Sequence, residues 1–191
     1  MNSIYLVLDM QNDLAHPDGA SGKSPLGEQI RARGVIQRTA QAIQAARARG
    51  MAIGFVRVAF SDDYREGNPR SQVFGPIEKN GILKLSAWGG AVLDELGAQA
   101  GDFVIVKHRV SPFYNTDLEL LLRRHDIQRI YCSGVSTQAV VQATVRDAHD
   151  RDFEVVLLED CCAAHSEAEH NNSVTSVGRF CSVSNSAQAF A

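Results

Sequence analysis

The chain predicts an α/β fold, a parallel sheet covered by helices on both faces, and three observations carry that prediction. Short apolar runs alternate with stretches of helical periodicity along its whole length. The runs are continuously apolar, as in Ile-Tyr-Leu-Val-Leu-Asp at 4–9, which suits strands buried on both faces. With 191 residues and 45% hydrophobic content, the chain can bury one sizeable core, so a single domain over 1–191 is expected.

The elements follow in order. Residues 4–9 start the sheet. Between Gly27 and Gly50, Ile36, Ala40, Ile43 and Ala46 recur at helical spacing with Arg and Gln between them, and Gly50 is placed to end the helix. Residues 52–60 read as a strand, 91–96 as a short helix and 103–106 as a strand. A helix at 116–125, a strand at 129–133, a helix at 137–151 and a strand at 154–158 come next. A last helix at 167–177 and a weak strand at 181–183 complete the pattern, with right-handed crossovers expected. The stretch 61–88 breaks the alternation, being long, rich in Gly, Pro, Asn and charge, and weakly periodic. Part of a substrate pocket is expected there, with Tyr64, Phe74 and Trp88 as its aromatic candidates; the alternative is an oligomer contact or loop packing.

Composition narrows the function classes. A net charge of −3, with both signs interspersed, leaves no basic stripe for a phosphate backbone, so no nucleic-acid partner is expected. No apolar run approaches a membrane span and no secretory leader is evident, so a cytoplasmic protein without a membrane partner is expected. Cys132, Cys161, Cys162 and Cys181 lack the spacing of a disulfide framework or a CxxC site and read as reduced, mostly buried thiols.

In open α/β sheets ligands bind beyond the carboxyl ends of the strands, so chemistry is sought there. Asp9 is the first charge after a buried run, and desolvation there raises a carboxyl's pKa toward proton transfer near neutral pH. Lys107 ends another such run and is placed to pair with Asp9 and stabilise negative charge. Taken singly, each also fits a solvated strand terminus. In Gly134-Val135-Ser136-Thr137-Gln138-Ala139-Val140-Val141 a glycine turns the chain out of its strand, Ser136 or Thr137 can cap the next helix, and amides at that helix start can bind an anion. An ordinary strand-to-helix turn is the alternative.

Together these segments resemble the isochorismatase-like, or cysteine hydrolase, superfamily. The resemblance lies in Leu8-Asp9-Met10-Gln11-Asn12-Asp13, in Lys107 followed by Phe113-Tyr114-Asn115-Thr116-Asp117-Leu118, and in Gly134-Val135-Ser136-Thr137, with Arg146-Asp147-Ala148 and Glu159-Asp160-Cys161-Cys162-Ala163-Ala164 continuing it. It implies a three-layer α/β/α, doubly wound, six-stranded parallel sheet, a cis peptide between Val135 and Ser136, and a homo-oligomer, dimer or tetramer. In the family's cysteine hydrolases an Asp, a Lys and a Cys form the catalytic triad; counted from Gly134, the cysteine position is Val140. The resemblance therefore implies a branch lacking the thiol, with Asp9 and Lys107 as catalytic residues and the Ala139 and Val140 backbone as the oxyanion site. Isochorismatases proper protonate a vinyl ether from the Asp at this position and let water complete the hydrolysis.

No cofactor and no metal are expected. Nicotinamidase-type relatives carry an Asp and two His after the second strand, whereas Asp62 and Asp63 have no nearby histidine. His16, His108, His125, His149, His165 and His170 are scattered and read as surface or capping residues. Two functions stand side by side: a hydrolase using Asp9 and Lys107 on a small, anionic or carbonyl-bearing substrate, or a catalytically inactive relative serving as a small-molecule binder or structural oligomer.

Overall fold

In a computed structural model that describes residues 2–191, six strands form one sheet: β1 (Asn2–Leu8), β2 (Ala52–Val58), β3 (Phe103–Lys107), β4 (Ile127–Val135), β5 (Glu154–Ala163) and β6 (Ser182–Ser184). Their order is β3-β2-β1-β4-β5-β6 and every neighbouring pair is parallel. From β1 the chain steps outward through β2 and β3, returns to β4 on the other side, and steps outward again. This reversal opens a crevice beyond the carboxyl ends of β1 and β4.

The apolar runs supply side chains to both faces, as period-two geometry requires. Ile4, Leu6 and Leu8 of β1 enter one core with Leu118 and Leu122 of α5 (Leu118–Arg124), Val145 of α6 (Gln142–His149) and Val177 of α7 (Glu167–Val177). Tyr5 and Val7 enter the other, under α1 (Asn12–Ala15), α2 (Pro25–Ala32), α3 (Val35–Ala48) and the C-terminal α8 (Ser186–Ala189). The expected three-layer, doubly wound arrangement of six parallel strands is therefore observed. No helix among the described residues is long and apolar enough to cross a membrane.

Several boundaries differ from those expected. The helix expected between Gly27 and Gly50 is two, α2 and α3, because Gly34 takes a left-handed conformation (φ 62°) that ends the first. At 91–96 only Asp94–Leu96 makes a single 3₁₀ turn. Its upstream backbone is committed elsewhere, Val92 bridging Gln11 and the Leu93 N–H donating to the Met10 carbonyl at 3.1 Å. The helix expected at 137–151 opens with one π turn, Thr137–Val141, before α6. β5 runs through both Cys161 and Cys162 to Ala163 rather than ending at 158. Within 61–88 the chain makes a short helix, α4 (Gly75–Asn80), and folds back on the end of β2. Phe60 donates to the Leu83 carbonyl and accepts from the Leu85 N–H, and Phe60, Tyr64, Phe74, Ile77 and Leu83 form a third apolar cluster.

Candidate active site

Asp9 and Lys107 leave the carboxyl ends of β1 and β3, with β2 between them, and meet over its end. Lys107 Nζ donates to Asp9 Oδ2 at 2.9 Å and to the Arg109 carbonyl at 3.0 Å. Both residues are buried, at 5% and 1% exposure, so neither is a solvated strand terminus. Asp9 sits in the left-handed region (φ 56°), and its own N–H donates to the Val56 carbonyl at 3.0 Å. The second carboxylate oxygen, Oδ1, is buried and has no hydrogen-bond partner among the described residues. Burial raises the Asp9 pKa above the ordinary carboxylate range, and the charge and hydrogen bond of Lys107 pull against that rise.

The pair lies in the wall of a cavity of about 420 Å³ at the sheet's switch point. Val135, Ser136, Ala139 and Val140 line the same cavity, so the end of β4 and the π turn face the carboxylate. Gly134 makes this approach possible: at φ 144° it turns β4 against β1, and a Cβ there would lie 2.0 Å from the Leu8 carbonyl oxygen. The Val135–Ser136 peptide is cis. Ser136 occupies the N-cap position without a side-chain cap bond, and the Ala139 N–H is already donated to the Ser136 carbonyl at 3.2 Å. Neither Ser136 nor Thr137 caps the helix as expected, because Thr137 Oγ1 pairs with His170 Nδ1 at 2.9 Å.

Of the three aromatic candidates, Phe74 lines the cavity and the other two do not. Tyr64 is buried in the apolar cluster behind it, its hydroxyl donating to the Ile82 carbonyl at 2.7 Å. Trp88 lies on the surface, 54% exposed, with its ring edge-on to His16. The rest of the wall is mostly aliphatic, with Ile77, Ile82 and Leu83 from the 73–83 stretch and Leu14, Leu26 and Val110 from elsewhere, and it also includes Ser21 and His165.

Three residues that hold the site together, Gln11, Asn12 and Asp13, carried no sequence signal apart from the segment that contains them. Gln11 is fully buried; its Nε2 donates to the Val58 and Gly90 carbonyls at 3.0 and 2.9 Å, and its Oε1 accepts from the Val58 N–H at 2.8 Å. Asp13 Oδ2 accepts from the Leu83 N–H at 2.7 Å, and Asn12 Nδ2 donates to the Trp88 carbonyl at 2.8 Å. The turn after Asp9 thus ties the carboxyl end of β1 to both ends of the 61–88 segment. A fourth, His170, was read as surface or capping but is 1% exposed. It joins Thr137 to Arg33, whose Nη2 lies 2.9 Å from His170 Nε2 and 3.0 Å from Glu159 Oε2. Burial, followed by the Arg33 charge, lowers the His170 pKa, so the ring is neutral near pH 7.

The thiols stand apart from the cavity lining. All four are free; Cys132, Cys161 and Cys162 are buried and Cys181 is half-buried. Cys162 Sγ is held beneath the turn, accepting from the Gly134 N–H at 3.4 Å. Burial pushes the Cys161 thiol up to about 12 and Cys162 well above its ordinary value. Among the described residues no three His, Cys, Asp or Glu side chains gather as a metal site would require.

Comparison with known proteins places the fold in a family. The isochorismatase domain family matches residues 3–188. The chain belongs to the isochorismatase family. The ureidoacrylate amidohydrolase RutB of Methylorubrum extorquens is 33% identical over 171 residues, which cover 83% of this chain and 68% of that protein. The isochorismatase family protein YecD of Escherichia coli O157:H7 is 36% identical over 143 residues, 75% and 74% of the two chains. The crystal structure of an isochorismatase family protein from Desulfovibrio vulgaris shares the fold, with a TM-score of 0.87 at 22% identity over 98% of this chain and 96% of that one. In this isochorismatase-family chain, the three segments that carried the resemblance converge on one cavity, with valine at position 140.

Proposed function

We propose that the protein is an isochorismatase-family hydrolase that works on a small molecule by Asp9/Lys107 acid–base chemistry, without a cysteine nucleophile. The observation that carries this reading is the state of the Asp9 carboxyl. One oxygen is held by Lys107, while the other is buried, unpartnered and part of a residue that lines the cavity. A carboxyl with a raised pKa and a free oxygen is equipped to hold a proton there and give it to a bound substrate. The carboxylate that forms is stabilised by the Lys107 ammonium, water adds to the activated substrate, and the proton released from that water returns to Asp9. The net change is addition of one water across the cleaved bond, with Asp9 and Lys107 regenerated.

Val140 stands in the wall where the family's cysteine hydrolases place their thiol, and a valine supplies no nucleophile. Loss of a nucleophile from a cooperating triad costs about a millionfold in turnover. No native thiol replaces it, since none lines the cavity and burial holds Cys161 and Cys162 protonated. The name of the RutB relative points to hydrolysis of an acyl C–N bond, which fits a substrate carrying a carbonyl group. One domain, a cytoplasmic location and assembly as a dimer or tetramer belong to the same reading; exposed Leu85 and Trp88 supply apolar surface for a contact between copies.

The test is a metabolite screen by mass spectrometry with the native protein and Asp9→Asn in parallel. General acid catalysis contributes about 10² to 10⁴ in rate, so turnover of any hit should fall by that factor in the variant at a temperature where circular dichroism shows it folded. Undiminished turnover by Asp9→Asn removes the assignment. A second reading, a binder that has lost the reaction, is favoured by Val140 itself, which is 2% exposed and closes the wall with an inert side chain. Ligands that stabilise the native protein in a thermal-shift screen, none of them turned over, would establish that reading instead.

A further inference from the structure

We propose that a second pocket, beyond the carboxyl end of β3, binds a small α-amino acid through both of its charges. Glu66, His108, Arg109, Tyr114 and Asn115 line it, and its volume is about 270 Å³. It shares no lining residue with the Asp9 cavity, so the proposal does not rest on the acid–base reading of Asp9.

Three of these side chains are anchored through one polar atom and leave another unused. Arg109 Nη1 donates to the Glu66 and His108 carbonyls at 3.0 and 2.6 Å, and the guanidinium lies 5.9 Å from the centre of the Phe74 ring. Its Nε and Nη2 have no hydrogen-bond partner among the described residues. Glu66 Oε2 accepts from the Ser61 N–H at 3.1 Å and from Ser61 Oγ at 2.7 Å, while Oε1 accepts from no other residue among those described. His108 Nδ1 lies 2.7 Å from the Ala59 carbonyl, which can only accept. That nitrogen therefore carries the proton, and Nε2 of the neutral ring presents a lone pair. A ligand that meets these free atoms binds without first having to order the side chains that carry them.

Charge decides the ligand class. Glu66 and Arg109 touch through the Glu66 carbonyl, yet no ion pair joins their charged groups among the described residues. A simple anion is drawn by one of them and repelled by the other, and so is a simple cation. A molecule with both charges satisfies both walls at once. The open edge of the guanidinium matches a carboxylate, and Glu66 Oε1 with His108 Nε2 accepts from an ammonium, which has three protons to give. Because the two walls are in contact, the ligand's charges must also be close, as they are when ammonium and carboxylate share one carbon. The Tyr114 hydroxyl and the Asn115 amide, which make no side-chain hydrogen bond among the described residues, remain for a polar side chain on the ligand. The volume holds about nine non-hydrogen atoms, taking about 30 Å³ of liquid volume for each water displaced, which leaves out the large aromatic amino acids.

L-Asparagine has the right size and tests the proposal by isothermal titration near pH 7, where it should bind saturably at millimolar concentration. β-Alaninamide lacks only its carboxylate and succinamate lacks only its ammonium, so each should bind at least about tenfold more weakly. Glu66→Gln keeps an oxygen for Ser61 and puts an amide donor in place of the free one. It should weaken asparagine at least about tenfold and leave succinamate unchanged. Asn115 has a φ of 53°, which glycine adopts freely, so Asn115→Gly should fold normally and weaken asparagine at least about threefold through the lost amide. Backbone amide NMR shifts on adding asparagine should centre on 108–110 and 114–115. Failure of asparagine to saturate at millimolar concentration overturns the proposal, as does equal binding of either truncated probe or an unchanged asparagine affinity in both variants. Shifts centred on Ala139 and Val140 would place asparagine in the Asp9 cavity and overturn it as well. The loss of turnover in Asp9→Asn stands or falls on its own measurement.

Discussion

Replacing Lys107 by methionine, which keeps a long unbranched side chain and removes the ammonium, should make stability fall steeply with rising pH. In the native protein Nζ is 2.9 Å from Asp9 Oδ2 and both residues are buried. Burial already holds the Asp9 carboxyl above its ordinary value of 3.8, and the ammonium is what limits the rise. An acid whose folded pKa exceeds its unfolded one binds more protons in the folded state. Its stabilising contribution is therefore full below the unfolded pKa and is lost as pH climbs through the folded one. Taking away Lys107 moves the folded value higher and extends that window upward. Each added pH unit within the window costs about 1.4 kcal/mol, up to the roughly 3–5 kcal/mol that breaking a buried ion pair costs in all. Guanidinium unfolding from about pH 4 to 8 on native protein, Lys107→Met and the double variant with Asp9→Asn measures this. Lys107→Met should match the native protein at the acid end and then lose about 1.4 kcal/mol per unit, while the double variant shows no such slope. A Lys107→Met deficit that is constant across the range would mean that Asp9 does not titrate against Lys107, and the acid–base assignment would fall with it.

Other perturbations reach different parts of the site. Gly134→Ala places a methyl 2.0 Å from the Leu8 carbonyl at a φ of 144°, and should lower stability by at least about 3 kcal/mol, or about 6–12 °C in Tm by calorimetry; a loss under 1 °C would show that β4 need not approach β1 so closely. The native protein should show no fast thiol to Ellman's reagent near pH 7, because burial raises Cys161 to about 12 and Cys181 to about 11, whereas the denatured chain shows four. A rapidly reacting native thiol would reopen a relocated nucleophile. His170 has a lowered pKa, so the stability it contributes is present above its ordinary value of 6.5 and is lost as pH falls through the folded value. His170→Gln should flatten that acid-side loss in thermal scans; an unaltered slope would assign it to other groups.

The strand ends were legible because a first charge after a buried run is a local signal, and Asp9 and Lys107 both carry it. Their meeting was not local, since they lie 98 residues apart and join only through the β3-β2-β1 order. Gln11 escaped for a related reason: its partners, Val58 and Gly90, are 47 and 79 residues away, and nothing near Gln11 in the chain announces them. His170 likewise has Thr137 33 residues before it, and an isolated histidine on a polar helix carries no mark of burial. The split between α2 and α3 was written in Gly34, but the apolar positions that marked the helix, Ile36 to Ala46, all lie beyond it and left it unread. Tyr64 and Trp88 misled because aromatic residues in an irregular segment serve a pocket wall, a buried support or a bare surface equally well. Only the fold-back onto Phe60 separates Phe74, which reaches the cavity, from the other two.

The turn after Asp9 gives the enzyme a division of labour. Gln11, Asn12 and Asp13 grip the chain at Val58, Leu83, Trp88 and Gly90, so the excursion between β2 and β3 has its feet planted in the same few residues that aim the carboxyl. What lies between those feet furnishes much of the greasy lining and neither member of the Asp9–Lys107 pair. Grafting a different stretch between Phe60 and Leu83 would accordingly recast what is admitted while the acid, its ammonium and their spacing stay as they are.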